Sequence, residues 1–178
     1  VAVLMVLIIT LPALIEASQP VGEIKMITPV ARPLSDGRTM GNPDAPVTID
    51  VFEDFQCSAC ATYTFEIEKR IIDELIPAGN VYYVFHQYPF LDDRSTAKES
   101  DQAANASMCA SDQGRFWDFL LLAYRRFDAF SVAALPGWAA EAGVSGYEAA
   151  VANPALRDRL VASKREGMAN GVQATPTF

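Results

Sequence analysis

Between Val47 and Phe52 the chain alternates, with Val47, Ile49 and Val51 on one side and Thr48, Asp50 and Phe52 on the other. That period-two pattern predicts a strand. After a short turn the period changes. From Cys57 onward, Tyr63, Ile67, Ile71 and Leu75 recur at spacings near three and four, which predicts a helix carrying all four on one face. Pro77 and Gly79 close it. Val81–Phe85 is a run of β-branched and aromatic residues, predicting a second, buried strand closed by Pro89. Strand–helix–strand order predicts a parallel pair with a right-handed crossover.

The pattern from Asp92 to Asn170 is helical. Ser95–Ala110 is Ala-rich, with Ser95 as a candidate N-cap, and Gly114 interrupts it. Phe116–Phe127 is strongly amphipathic, and its aromatic stripe (Phe116, Trp117, Phe119, Tyr124, Phe127) predicts core, part of it facing a groove above the cysteines. Pro136–Ala142 predicts a short helix stopped by Gly143. Ser145 is placed to cap another, ending near Asn153-Pro154. Ala155–Asn170 predicts the last helix, with Gly171 as its stop.

Upstream, Val1–Ile15 contains no charged residue. Residues 1–18 therefore read as a partial signal anchor, with a cleaved signal as the alternative. Residues 19–40 read as a linker, because Pro20, Pro29, Pro33, Gly22 and Gly37 oppose a long helix. Val21–Val30 has room for a short strand, and Asp36-Gly37 for a turn. Either reading of the anchor places the domain outside the cytoplasm, in the periplasm or on the outer face of the plasma membrane, where disulfides persist.

Composition narrows the classes. Apolar residues make up 51% of the 178, enough for a sizeable core. A net charge of -8 with no basic run argues against nucleic acid as a partner.

The chemistry concentrates in Cys57-Ser58-Ala59-Cys60. A thiol at a helix N-terminus faces unsatisfied N–H groups and the positive end of the dipole, which favours thiolate. Cys57 is thus the expected nucleophile, with Cys60, one turn deeper, as the resolving thiol. The pair would work as a redox-active disulfide without any further cofactor. A strand entering a helix that opens with C-x-x-C is the thioredoxin-like redox signature; zinc sites share the spacing.

Four stretches together resemble the DsbA-like thiol:disulfide oxidoreductases of the thioredoxin superfamily. They are Gly41–Val47; Asp54–Cys60; Cys109-Ala110 with Gln113–Trp117; and Thr175-Pro176-Thr177-Phe178. The resemblance implies an α/β thioredoxin-like fold over 41–178, with a helical subdomain inserted at about 92–154. Such a fold continues into a final β-hairpin and helix, so the sequence reads as truncated at Phe178, with an unpaired sheet edge. The resemblance also implies that Pro176 is cis and that Thr175 faces the sulfurs, offering backbone to a bound peptide and hydroxyl to a sulfur. Partners implied are unfolded or exported client proteins and a quinone-linked membrane re-oxidase of DsbB/VKOR type.

The chain departs from that pattern in two places. Ser58-Ala59 lacks the His found in better-known relatives, which implies a milder oxidant. Where many relatives carry a buried Glu beneath the pair, this chain has Val51. Asp50 and Glu53 flank it; both are expected to be solvated, with Glu53 close enough to the strand's end to support the site.

Phe55 is expected to pack, and Gln56 to line the rim. His86, the single histidine, is expected in a core or rim role, and Cys109 as a small apolar packer. The leading reading is an extracytoplasmic oxidoreductase that forms disulfides in exported proteins. Alternatives are a reductase or isomerase on the same fold, a domain tethered to one membrane partner, and a zinc module using Cys57, Cys60, Cys109 and His86.

Overall fold

The computed structural model describes residues 32, 34–94 and 98–178. The predicted segments at 1–18 and 21–30 and the Ser95 cap lie outside those residues. Among the described residues the sheet has four strands: β1 (Ser35–Asp36), β2 (Thr39–Gly41), β3 (Val47–Glu53) and β4 (Val81–Gln87), in the order β1-β2-β4-β3. β3 and β4 run parallel, Val47 opposite Val81 through Glu53 opposite Gln87. β1 and β2 form a small antiparallel hairpin around Gly37, and β2 pairs antiparallel with β4. The sheet therefore takes in residues 35–40, which composition had placed in the linker. Gly41 has φ +93 and no space for a side chain: a Cβ there would lie 2.3 Å from the Val81 carbonyl oxygen.

Helix α1 (Ser58–Glu66) follows β3 with Cys57 as its N-cap. A short turn, Glu68–Arg70, and a π-helical turn, Ile71–Leu75, carry it on to the Pro77 stop. The predicted single face breaks here. Tyr63 is buried, but Ile67 is 58% exposed. The break falls at Ile67 itself, which stands between the two helical pieces with φ -110 and ψ -47, ahead of the π-turn.

The helical block comprises α2 (Glu99–Asp112), α3 (Phe116–Arg125), α4 (Leu135–Glu141) and α5 (Tyr147–Val151), before α6 (Pro154–Ala169) returns to the sheet. Gly114, at φ +67, separates α2 from α3 as expected. Ser145 does not cap α5: Gly146 holds that position, and the Ser145 N–H and hydroxyl bond to the Gln113 side-chain oxygen. Asn153 caps α6 through the Ala155 N–H.

The core lies between β3–β4 and the helical block. Phe55, Phe85, Phe116, Phe119 and Leu120 are all but inaccessible. The rings of Phe55, Phe119 and Tyr124 meet at centroid distances of 5.8 and 5.6 Å from Phe55. Phe55 thus packs, as its sequence context predicted. Cys109 also packs, at 1% exposure. On the other side of the sheet Phe52, Tyr88 and Val172 form a smaller cluster beneath α6. Gly167 allows that contact, since a Cβ there would lie 2.5 Å from the Tyr88 ring.

Among the described residues, no helix is long and apolar enough to cross a membrane.

Candidate active site

Asp54 shapes the passage from strand to helix. It is 1% exposed, and its two oxygens accept from the backbone N–H groups of Gln56 and Leu91, each at 2.8 Å. The Cys57 N–H closes the turn on the Asp54 carbonyl at 3.0 Å. These bonds put Cys57 at the helix start with its sulfur over the first free N–H groups. Cys57 is half-buried, while Ser58 and Ala59 are exposed beside it and Cys60 is fully buried.

The two sulfurs are strongly differentiated. Cys57 is lowered to about 6, chiefly by a hydrogen bond from the Cys60 thiol. Burial opposes this; the Thr175 side chain and the N–H groups of Cys60 and Ala59 reinforce it. Cys60 moves the other way, raised by burial, by its bond to Cys57 and by Glu53. At neutral pH the outer sulfur is an anion and the inner one a thiol. No disulfide joins Cys57, Cys60 or Cys109.

Thr175-Pro176 is a cis peptide, and it stands against the cysteine pair. The Thr175 carbonyl oxygen lies 3.2 Å from the Cys57 sulfur, accepting its S–H when the thiol is protonated. The Thr175 side chain favours the thiolate instead, so one residue contacts both forms. Thr177 anchors the segment, exchanging backbone bonds with Phe52 at 2.8 and 3.1 Å. Gln56 reaches away from the pair to the start of α2, bonding Glu99 at 2.8 Å and Ser100 at 3.2 Å.

Glu53 is not solvated. It is 1% exposed, and its Oε2 accepts from the Tyr124 hydroxyl at 2.8 Å. Burial, then the charge of Glu68, pushes its carboxyl well above the usual range, and the Tyr124 bond opposes the shift. It acts electrostatically on both cysteines. Val51 is fully buried and apolar, so the acid beneath the pair sits at the end of the strand. Asp50 is exposed at its side chain, but it bonds the buried His86 Nε2 at 2.7 Å. Glu166 lies 3.3 Å from His86 Nδ1, and the imidazole stacks on Phe52 at 4.5 Å.

Tyr124, Glu68 and Arg32 were not legible from sequence as neighbours of the site. The only available signal was an unexplained acid on an otherwise apolar helix face. Cys57, Cys60, Cys109 and His86 do not assemble: among the described residues no three His, Cys, Asp or Glu side chains converge in a way that could hold a metal.

Comparison with known proteins agrees with this geometry. A family model described as thioredoxin matches residues 34–178. The probable disulfide bond formation protein D of Bacillus anthracis is 36% identical over 87 residues, covering 48% of this chain and 38% of that protein. A Na(+)/H(+) antiporter NhaA of Herminiimonas arsenicoxydans is 32% identical over 143 residues, 78% of this chain but 21% of that protein. The chain thus spans well under half the length of these curated relatives. The crystal structure of oxidised BdbD from Bacillus subtilis superposes with a TM-score of 0.68 at 24% identity, covering 86% of this chain and 85% of that one.

Proposed function

Since the chain belongs to the thioredoxin family and has its DsbA-like architecture, we propose that it is a thiol–disulfide oxidoreductase that forms disulfides in exported proteins. The observation that carries this is the divided pair: an ionised Cys57 at a helix start over a protonated, buried Cys60, with Thr175 alongside. A redox pair needs that asymmetry, and a structural disulfide does not.

In the oxidising direction a client thiolate attacks the Cys57 sulfur of the Cys57–Cys60 disulfide. The S–S bond breaks, a mixed disulfide forms at Cys57, and Cys60 leaves with the electron pair. Glu53, buried beside it and holding a proton, supplies that proton to the Cys60 sulfur. A second client thiolate then attacks the client sulfur. Cys57 departs as the stabilised thiolate, and the client is oxidised by two electrons. Reversing these steps reduces a disulfide. Then Glu53 takes the proton from Cys60 as it attacks. Thr175 and Pro176 flank the mixed disulfide, where the Thr175 backbone meets a client strand; Ser58 and Ala59 form its open side. A low-pKa Cys57 stabilises the reduced enzyme and so favours oxidation of clients.

Re-oxidation by a quinone-linked membrane partner and a location outside the cytoplasm complete the proposal. The B. anthracis relative, by its name a disulfide bond formation protein, supports the direction. A second reading has one observation behind it. The match within a much longer antiporter chain favours a thioredoxin-like domain serving the membrane protein that carries it.

The test is peptide oxidation alongside insulin reduction, with Cys57→Ser and Cys60→Ser. Cys57→Ser is expected to abolish both activities, and Cys60→Ser to accumulate mixed disulfides with clients. Wild-type turnover in both variants would refute the mechanism. A reduction potential near that of thioredoxin would redirect the assignment to reductase.

A further inference from the structure

We propose that Tyr124 and Glu68 are opposed positioning residues that together set whether Glu53 keeps or releases the proton it exchanges with Cys60. This rests on the redox reading above and specifies how its proton step is controlled.

Glu53, at 1% exposure, and Glu68, at 0%, are buried carboxyl groups close enough to act on each other. Two ionised acids with no counter-charge are not stable together in such a place. Their surroundings divide them. Glu68 meets the Arg32 guanidinium at 3.3 Å, with both side chains almost wholly buried and the guanidinium 5.1 Å from the centre of the Trp117 ring. Glu53 meets a neutral hydroxyl, that of Tyr124, at 2.8 Å. Burial raises both carboxyls, but Arg32 draws Glu68 back down and among the described residues no cation does so for Glu53, so of the two Glu68 is the one that carries the charge and Glu53 the one that holds the proton. One Glu53 oxygen is fixed by Tyr124; the other, Oε1, is buried without a hydrogen-bond partner and is the atom free to carry the transferable proton.

The titratable groups around Glu53 come from every side. Cys57 and Cys60 lie at the start of α1, and Tyr63 is further along it. Glu68 comes from the following turn, Tyr83 from β4 and Tyr124 from α3. Of these, Tyr124 donates to the carboxylate and so favours release of the proton, while the anion of Glu68 favours its retention. Tyr63 and Tyr83, hydroxyl to hydroxyl at 3.3 Å, are buried phenols that remain neutral. The opposing groups reach Glu53 from different parts of the fold: Tyr124 is on the helical block, whereas Glu68 lies on the continuation of the helix that begins at Cys57 and is tied through Arg32 to the segment ahead of the sheet.

The experiment follows the glutamate carboxyl carbons of the reduced protein by ¹³C NMR across a pH series, with Glu53→Gln identifying the Glu53 signal. The pH dependence of single-turnover mixed-disulfide resolution is measured in parallel. Tyr124→Phe is expected to move the Glu53 midpoint upward by about one pH unit, since a hydrogen bond to a charged group is at stake. Glu68→Gln is expected to move it downward by about as much. The resolution profile should shift in the same two directions. Because Glu68→Gln strands Arg32, the double variant Arg32→Gln/Glu68→Gln removes both charges and should keep the downward shift. Midpoints that stay fixed, or move in the same direction for Tyr124→Phe and Glu68→Gln, would overturn the proposal. A wild-type protein inert toward disulfides would overturn the functional reading alone, because the carboxyl titration still decides the roles of Tyr124 and Glu68.

Discussion

The Cys57 sulfur and the Thr175 carbonyl oxygen, 118 positions apart in the chain, lie 3.2 Å from each other. Under the proposed function, a client bound at that carbonyl would be held within bonding reach of the nucleophile. Thr175→Val keeps the shape and deletes the hydroxyl that helps hold Cys57 near 6. Its iodoacetamide alkylation profile should move to higher pH. An unchanged profile would leave the anion to the Cys60 thiol and the backbone alone.

In the wild-type reduced protein, alkylation of Cys57 should rise with a midpoint at about pH 6. The linkage has a definite sign. The folded-state value lies below that of an unfolded cysteine, so the extra stability of the reduced form is complete only above the unfolded value. It shrinks as pH falls and is gone below about 6. The gap in thermal midpoint between reduced and oxidised protein should follow that course. Paired melts across about pH 5–9, which brackets the folded and unfolded values, check it.

Glu53→Gln should slow the step that moves a proton at Cys60 by roughly 10²-fold, the usual scale for a lost general acid or base. It should also stabilise the fold. Burial raises this carboxyl, so its contribution is intact below the unfolded carboxyl value and is lost as pH rises through the folded one. Stopped-flow kinetics and melting curves at neutral pH should therefore move in opposite senses, slower but more stable.

Gly167→Ala should destabilise the protein by about 1–3 kcal/mol, because the new methyl would meet the Tyr88 ring at 2.5 Å. Tyr88 cannot easily give way: its hydroxyl is bonded to the Val172 carbonyl at 3.0 Å. Chemical denaturation reads this directly, and a companion Tyr88→Leu should recover part of the loss.

Cys109 should resist alkylation in the folded state, since it is 1% exposed and burial raises its thiol. Mass spectrometry of native and denatured samples should find it modified only in the latter.

The elements around the site were legible because their signals are local. Alternation marked β3, a β-branched and aromatic run marked β4, and C-x-x-C at the strand's exit marked the start of α1. Burial decided elsewhere in the chain was not legible. Glu53 reads as a surface acid until Tyr124, 71 positions away, closes over it. His86 looked partnerless, although Asp50 on the neighbouring strand and Glu166 on α6 flank it. Ile67 fitted a helical face that exists only if the helix runs unbroken, and the backbone breaks at Ile67 itself, with φ -110. Ser145 looked like a cap because nothing in its own neighbourhood reveals that Gln113 holds it.

Phe52 is fastened to Thr177 on one side and leads within a few residues to Cys57 on the other. The gap between sulfur and carbonyl is thus dimensioned by two very short stretches of chain that share one datum. Errors in the placement of the helical block or of α6 do not accumulate in it, much as two jaws machined from the same bar stay in register however the handle is bent. Sequence drift in the outlying helices can then proceed without spoiling that register.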